Sequence, residues 1–487
     1  MRPTLTLRLS GPVLGAVAQV DITDLVSLET RGGRHRGAPA RPGRLTGRVL
    51  MLADATHELL LVVLDLLELY EPWLDRFKAV LTRFTDVPPA NIAVWCNHIH
   101  AASSSDGVAE WPIADRLAEA ILKARADYTP VEMAHAAADL GPGWTINRRF
   151  AIGDLDTFCV MFNDDCKVDG DRLEVSGQVR AHLRTHGIDP TIGISPDATA
   201  YCQSPADTRL ELLSLRRQDN TRPLAAWIRF PAHPAMASAT KIGNALHPDF
   251  IGTLRERFES DFGGTVFFAQ GPCGDVRPLH QDYGIAEAEK FGRRLAGEAA
   301  NLVGSLRYKQ LVQCAAATER ANLSLRPEYA WPADALAAER ARVDAQIEAA
   351  GDPRDRLRLI RRRQVLRWVH FHEHDRPTII PPHARQSLIW PIEVKALRFN
   401  GHLLVGLPGE IFAETGAALR TRIEQERLAE AATVTELCGA YANYVSPASQ
   451  YGTGGYEDTC CFLRDGSAEQ LIDVAVGAAR LLFPADK

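Results

Sequence analysis

The segment Asn97-His98-Ile99-His100 sets two imidazoles two residues apart, directly after the apolar run NIAVWC. If that run is a buried strand, extended backbone turns residues i and i+2 to the same side, so both rings leave the strand end together. Imidazoles so placed can hold a transition metal or move protons near neutral pH. The HxH pair alone does not separate that use from a structural one. Phe230-Pro231-Ala232-His233-Pro234 follows the run AAWIRF and holds a histidine between two prolines. Their restricted backbone suits a ligand that must be fixed in place, or simply a restrained loop. Leu407-Pro408-Gly409-Glu410 follows HLLVGL. A carboxylate leaving a buried strand needs a cation or a proton, unless it sits at the start of a following helix. Tyr441-Ala442-Asn443-Tyr444 precedes Gly454-Gly455-Tyr456-Glu457 in a tyrosine-rich loop to which spacing assigns no role.

These groups need elements to position them. The runs GRVLMLA, ELLLVVLDL, NIAVWC, AAWIRF, TVFFAQ, IEVKALRF and HLLVGL are apolar and rich in β-branched residues, as buried strands are. Helical patterns fall at 73–84, 286–306, 333–349, 411–428 and 467–482. Strands interleaved with helices predict an α/β fold, a mixed sheet covered by helices on both faces. One domain is expected over 1–487, with a charged helical insertion or lid over 320–390. The basic run from Arg354 to Arg367 inside it reads as a helix surface or subunit contact. Residues 31–44 are rich in Gly, Pro and Arg and read as a loop. Gln270-Gly271-Pro272-Cys273-Gly274-Asp275 lacks the spacing of a phosphate-binding loop, and its glycines would let backbone approach a site closely.

The balance of 55 basic and 61 acidic residues, net charge −6, supplies no field for nucleic acid or an anionic membrane. No run approaches a membrane span, and charges interrupt the apolar N-terminal positions, so the expectation is a cytoplasmic protein with a small-molecule partner. Nine cysteines without a CxxC pair predict no disulfide framework. Oligomeric state is left open, a homo-oligomer included.

Taken in order, the HxH, Asn147-Arg148-Arg149, the His-Pro at 233, QGxxGDV, LPGE and the loop ending GGYE resemble the neutral/alkaline ceramidase family in its catalytic N-terminal domain. The resemblance runs from about residue 15 to about residue 460, and its specificity lies in the order of six motifs. It implies one Zn2+ per chain held by His98, His233, Glu410 and Tyr444. It also implies His100 as general acid/base, Arg148 as catalytic arginine and Tyr456 near the scissile carbonyl. The reaction implied is hydrolysis of a linear amide by water activated on the metal.

The chain departs from the family's motifs at two places. Arg277 stands where the family has a serine in GDVSPN, and HTHSGP reads His98-Ile99-His100-Ala101-Ala102-Ser103. Arg277, with Arg34 in the basic loop, could recognise a carboxylate, and Asp275 joins them as a substrate-binding candidate. The expectation is therefore a zinc amidase for a small or medium soluble N-acyl substrate. A ceramidase proper, acting on N-acyl sphingoid lipids, and a silent metal-binding protein of the same fold are the alternatives.

Overall fold

Along Glu58–Leu64 every residue after the first is buried, and the two faces of the strand serve different layers. Leu59, Leu61 and Val63 join Leu7, Leu9, Leu397, Phe399 and Leu404 in one core cluster. Leu60, Val62 and Leu64 join helical residues such as Phe77, Leu117, Phe250 and Leu295 in another. Period-two alternation thus divides the interior into a core between sheets and a core between sheet and helices.

The computed structural model describes residues 4–26, 43–103, 105, 108–152, 156–160, 167–169, 172–188, 206–237, 246–280, 284–375 and 379–483. Its principal strands are β1 (Thr4–Leu9), β2 (Leu14–Asp21), β3 (Thr46–Ala53), β4 (Glu58–Leu64), β5 (Ile92–Cys96), β6 (Thr129–Asp139), β7 (Arg209–Arg217), β8 (Pro223–Phe230), β9 (Thr265–Gln270), β10 (Cys314–Ser324), β11 (Ile389–Phe399), β12 (His402–Gly406) and β13 (Ala431–Thr435). The helices that matter here are α1 (Glu71–Thr85), α2 (Glu110–Ala124), α3 (Asp249–Phe262), α4 (Ile285–Val303), α5 (Ala333–Ala349), α6 (Pro353–His370), α7 (Ala413–Gln425), α8 (Gly455–Cys460) and α9 (Ser467–Leu482).

One sheet runs β9-β8-β7-β6-β2-β3-β4-β5, with the short strand Lys309–Gln310 on β6; the other runs β1-β10-β11-β12-β13. The pairs β4/β5, β8/β9 and β12/β13 are parallel and the rest antiparallel. The α/β class with mixed sheets holds. Its strands divide over two sheets that face each other, so helices cover the outer face of each instead of both faces of one. In the core shared by the two sheets, Trp95 on β5 and Trp227 on β8, both from the first sheet, meet edge to face at 5.1 Å, a pairing worth about 1 kcal/mol beyond its buried area.

Between the antiparallel neighbours β10 and β11 the chain leaves to form α5 and α6. Residues 320–324 and 389–390, which the sequence reading placed with the helices, complete those two strands because their backbone groups pair along the full register. Helix α6 is started by Asp352, whose side chain accepts from the backbone N–H of Arg354 and Asp355 at 2.7 and 3.3 Å, with Pro353 behind it. No described helix is long and apolar enough to cross a membrane.

The carboxyl ends of β5, β8, β9, β12 and β13 are laced together. Gly271 N donates to Phe230 O, Glu436 N to Gln270 O, Leu437 N to Gly409 O and Cys96 N to Leu437 O, at 3.0–3.3 Å. This is where an α/β sheet offers its ligand crevice.

Candidate metal centre

Three of the sequence candidates meet at those strand ends. His98 Nε2 lies 3.2 Å from His233 Nε2, and Glu410 Oε2 lies 3.3 Å from the first and 3.4 Å from the second. Tetrahedral coordination with bonds of about 2.0–2.1 Å spaces its donor atoms about 3.3–3.4 Å apart. The triangle therefore has the size a small divalent cation requires. The outer nitrogens support the same reading. His98 Nδ1 donates to Leu67 O at 2.8 Å and His233 Nδ1 donates to Cys273 O at 3.0 Å. A proton fixed on each Nδ1 leaves the Nε2 lone pairs pointing into the triangle.

His98 adopts φ 56, a left-handed conformation uncommon outside glycine. Strand β5 has already ended at Cys96, so the imidazoles of His98 and His100 do not converge by strand alternation. A local turn brings their rings to 4.8 Å, and His100 N donates to Pro234 O at 3.1 Å, tying the two histidine loops together. His98, His100 and His233 can each present one nitrogen within 4.8 Å of the others. A buried group that could hold a metal is thus present, with His100 beside the tighter His98–His233–Glu410 triangle.

Glu410 and Tyr444 are register partners in a two-residue parallel ladder with Ile411 and Val445. Glu410 N donates to Asn443 O at 2.9 Å, and Gly409 has to be glycine there: its φ is 77 and a Cβ would come 2.4 Å from Asn443 O. Gly274 serves the close approach expected of its segment, since a Cβ on it would lie 2.9 Å from Glu410 O. The second carboxylate oxygen, Glu410 Oε1, accepts from Tyr441 OH at 2.6 Å. Burial works against charge on Glu410, yet the adjacent imidazoles of His98 and His233 and the tyrosine donor hold it down at about 2. Beneath it, burial pushes Glu436 up to about 8; it accepts from Ile411 N at 2.6 Å and contacts Cys273 Sγ at 3.0 Å.

Arg148 is buried and aimed at the same place. Its Nη2 donates to Tyr444 Oη at 3.0 Å and to Gly274 O at 2.8 Å, while Nε donates to Glu457 Oε1 at 2.6 Å. Burial opposes its charge, but Tyr444 and Glu457 raise its pKa well above the usual value. Glu457 also accepts from Arg149 Nη1 at 3.0 Å, and the two guanidinium groups outweigh its burial and keep it ionised. Tyr456 packs edge to face on Tyr444 at 5.6 Å and on Trp368 at 5.5 Å. A cavity of about 200 Å3 is lined by His98, His100, Glu410, Tyr444, Tyr456 and, from α6 and the turn after it, Trp368, Phe371 and His372.

Of the three substrate-binding candidates, the two among the described residues, Arg277 and Asp275, do not line this cavity. Arg34 lies outside the described residues. Arg277 is buried and donates to His280 Nε2 at 2.8 Å and Pro278 O at 3.3 Å. Asp275 accepts from Ala413 N at 2.8 Å and Asn147 Nδ2 at 2.7 Å, and lines a different cavity with Asp207 and Arg420. The Asp275 side chain holds the NRR segment and the start of α7, and the Arg277 guanidinium turns to its own neighbours, His280 and Pro278. Tyr441, Glu436 and Glu457 were missed as participants. Tyr441, within Tyr441-Ala442-Asn443-Tyr444, and Glu457, within GGYE, stood in segments the sequence had marked, and Glu436 did not.

No family model matches the sequence, and no curated protein matches it. Solved structures do. The neutral ceramidase from Pseudomonas aeruginosa superposes with a TM-score of 0.63 at 16% identity, over 98% of this chain and 76% of that one. A ceramidase structure complexed with C2 gives 0.62 at 16% identity over the same shares. The chain has a neutral ceramidase-like fold, in agreement with the resemblance read from its motifs.

Proposed function

We propose that the protein is a zinc hydrolase that cleaves the amide bond of a small or medium soluble N-acyl compound. The observation that carries this is the triangle of His98 Nε2, His233 Nε2 and Glu410 Oε2, with edges of 3.2, 3.3 and 3.4 Å and both outer ring nitrogens tied to backbone carbonyls. His98, His233, Glu410 and Tyr444 would hold one ion per chain. When bound, the ion lowers the pKa of water and polarises a carbonyl.

The chain's own groups then divide the remaining work. His100, whose ring lies 4.8 Å from that of His98 and 5.1 Å from that of His233, accepts the proton of the attacking water and returns it to the departing nitrogen. Arg148, locked by Glu457 and Gly274 O, holds a fixed positive charge against Tyr444. Tyr456 and Arg148 offer stabilisation to an oxygen that becomes anionic, on the order of 3 kcal/mol per well-placed donor. Trp368 and Phe371 form an apolar wall that limits the size of the acyl group and excludes water. In this reading the stretch holding α5 and α6 acts as a lid.

Metal analysis of purified protein with a panel of soluble N-acyl amides and a dispersed ceramide tests the proposal. Expected are about one zinc per chain, hydrolysis of a soluble amide, and loss of activity with chelator or in Glu410→Ala. Preference for the dispersed lipid would transfer the function to a ceramidase proper. Bound metal with no turnover on any substrate would leave a silent metal-binding protein.

A further inference from the structure

Trp368 and Tyr456 line two cavities at once. On one side lies the 200 Å3 cavity of the histidines; on the other a chamber of about 270 Å3 lined by Phe158, His182, Gln364, Arg367 and Thr459. The two rings cross at 74° with centroids 5.5 Å apart, so the pair stands where the two chambers adjoin and narrows the space between them.

The polar groups of the second chamber are mostly committed. Cys159 Sγ donates to Glu457 Oε1, Thr459 Oγ1 to Gly455 O, and Asp156 Oδ2 faces His182 Nε2 at 3.7 Å. Arg361 Nη1 lies 4.0 Å from Asp156 Oδ1. Among the described residues, two lining side chains, Gln364 and the exposed Arg367, have no side-chain hydrogen bond or ion pair. They stand three residues apart on α6, and Trp368 stands four from Gln364, so one face of one helix presents an amide, a guanidinium and the Trp368 indole. A guanidinium and an amide lining one chamber beside aromatic rings match a carboxylate, which the guanidinium can bind through two hydrogen bonds.

We infer that the second chamber is a subsite for a carboxylate at the far end of an elongated substrate, with Arg367 as its anchor and Trp368–Tyr456 as the neck through which the substrate passes. As a statement about substrate, this rests on the amide-hydrolase reading. As a statement about binding, it stands apart from turnover.

The test is calorimetric titration of the holoprotein with benzoyl alkanoic acids of increasing chain length, in which a ketone replaces the amide so that nothing is cleaved. Each is compared with its methyl ester. At the best chain length the acid binds about tenfold or more tighter than the ester, and Arg367→Gln brings that ratio close to one while leaving ester binding unchanged. An acid-to-ester ratio near one at every length, no detectable binding of any acid, or an unchanged ratio in Arg367→Gln overturns the subsite. Acid-selective binding in a protein that hydrolyses no amide keeps the subsite and defeats the hydrolase reading.

Discussion

Tyr441→Phe removes one atom from the candidate centre and leaves the packing in place. The Tyr441 ring is buried, 6.5 Å from that of His98 and 6.4 Å from that of Tyr70, and its backbone N–H donates to Leu69 O at 2.7 Å. Phenylalanine retains all of these contacts. What it loses is the 2.6 Å hydrogen bond to Glu410 Oε1, the contact that fixes which carboxylate oxygen faces the two imidazoles. Outer partners of this kind set the orientation and basicity of a ligand, and their loss typically weakens metal binding about 10–100-fold, or roughly 1.4–2.7 kcal/mol. Competition against a chromogenic chelator should therefore show a zinc affinity lowered by that factor. The thermal stability of the metal-stripped protein should fall by no more than about 1 kcal/mol, the net worth of one hydrogen bond. An affinity within about twofold of the wild type would mean that Glu410 is not a ligand or that Tyr441 does not orient it.

Other consequences follow from the surrounding network. Glu457→Gln leaves the buried guanidinium groups of Arg148 and Arg149 short of their carboxylate, so unfolding stability should drop by about 3–5 kcal/mol with zinc stoichiometry preserved; urea denaturation with metal analysis checks both. Burial raises the carboxyl of Asp249 to about 6, although Ala237 N and Phe250 N donate to it. A raised folded-state pKa means that this group's contribution to stability is present below about pH 4 and is lost as pH rises through about 6, on the order of 3 kcal/mol in all; Asp249→Asn should remove that slope from denaturation curves measured across the window. Trp368→Ala widens the neck between the two chambers, and kcat/KM for a bulky acyl amide relative to a small one should rise by about tenfold.

The strands that carry the candidates were legible because each is a short apolar run ending in a polar or Pro-Gly segment, and every run named from the sequence overlaps a strand, with ELLLVVLDL, NIAVWC and HLLVGL reaching one or two residues beyond it. The division into two sheets was not legible. A strand buried on both faces reads the same whether helices or a second sheet cover it, as Leu59 and Leu60 illustrate. The convergence of His98, His233 and Glu410 was readable only through motif order, because lacing among strand ends more than 300 residues apart in sequence leaves no periodic trace. Strand alternation does not extend to the HxH, because the strand ends at Cys96 and His98 adopts a positive φ. Arg277 and Asp275 were assigned by charge, and charge in a sequence does not reveal that a neighbour such as His280 or Asn147 has already taken the group. Trp368 escaped notice inside a run of arginines that marks a helix surface, although its i−4 neighbour Gln364 lies on the face turned to the cavities.

In the proposed function one cation sits among His98, His233 and Glu410. Anomalous diffraction from crystals of the purified protein, collected on both sides of the zinc absorption edge, tests it most directly. One peak per chain is expected, about 2.0–2.2 Å from His98 Nε2, His233 Nε2 and Glu410 Oε2. A zinc peak at other side chains, or the two imidazoles joined through a proton with no peak between them, would contradict it.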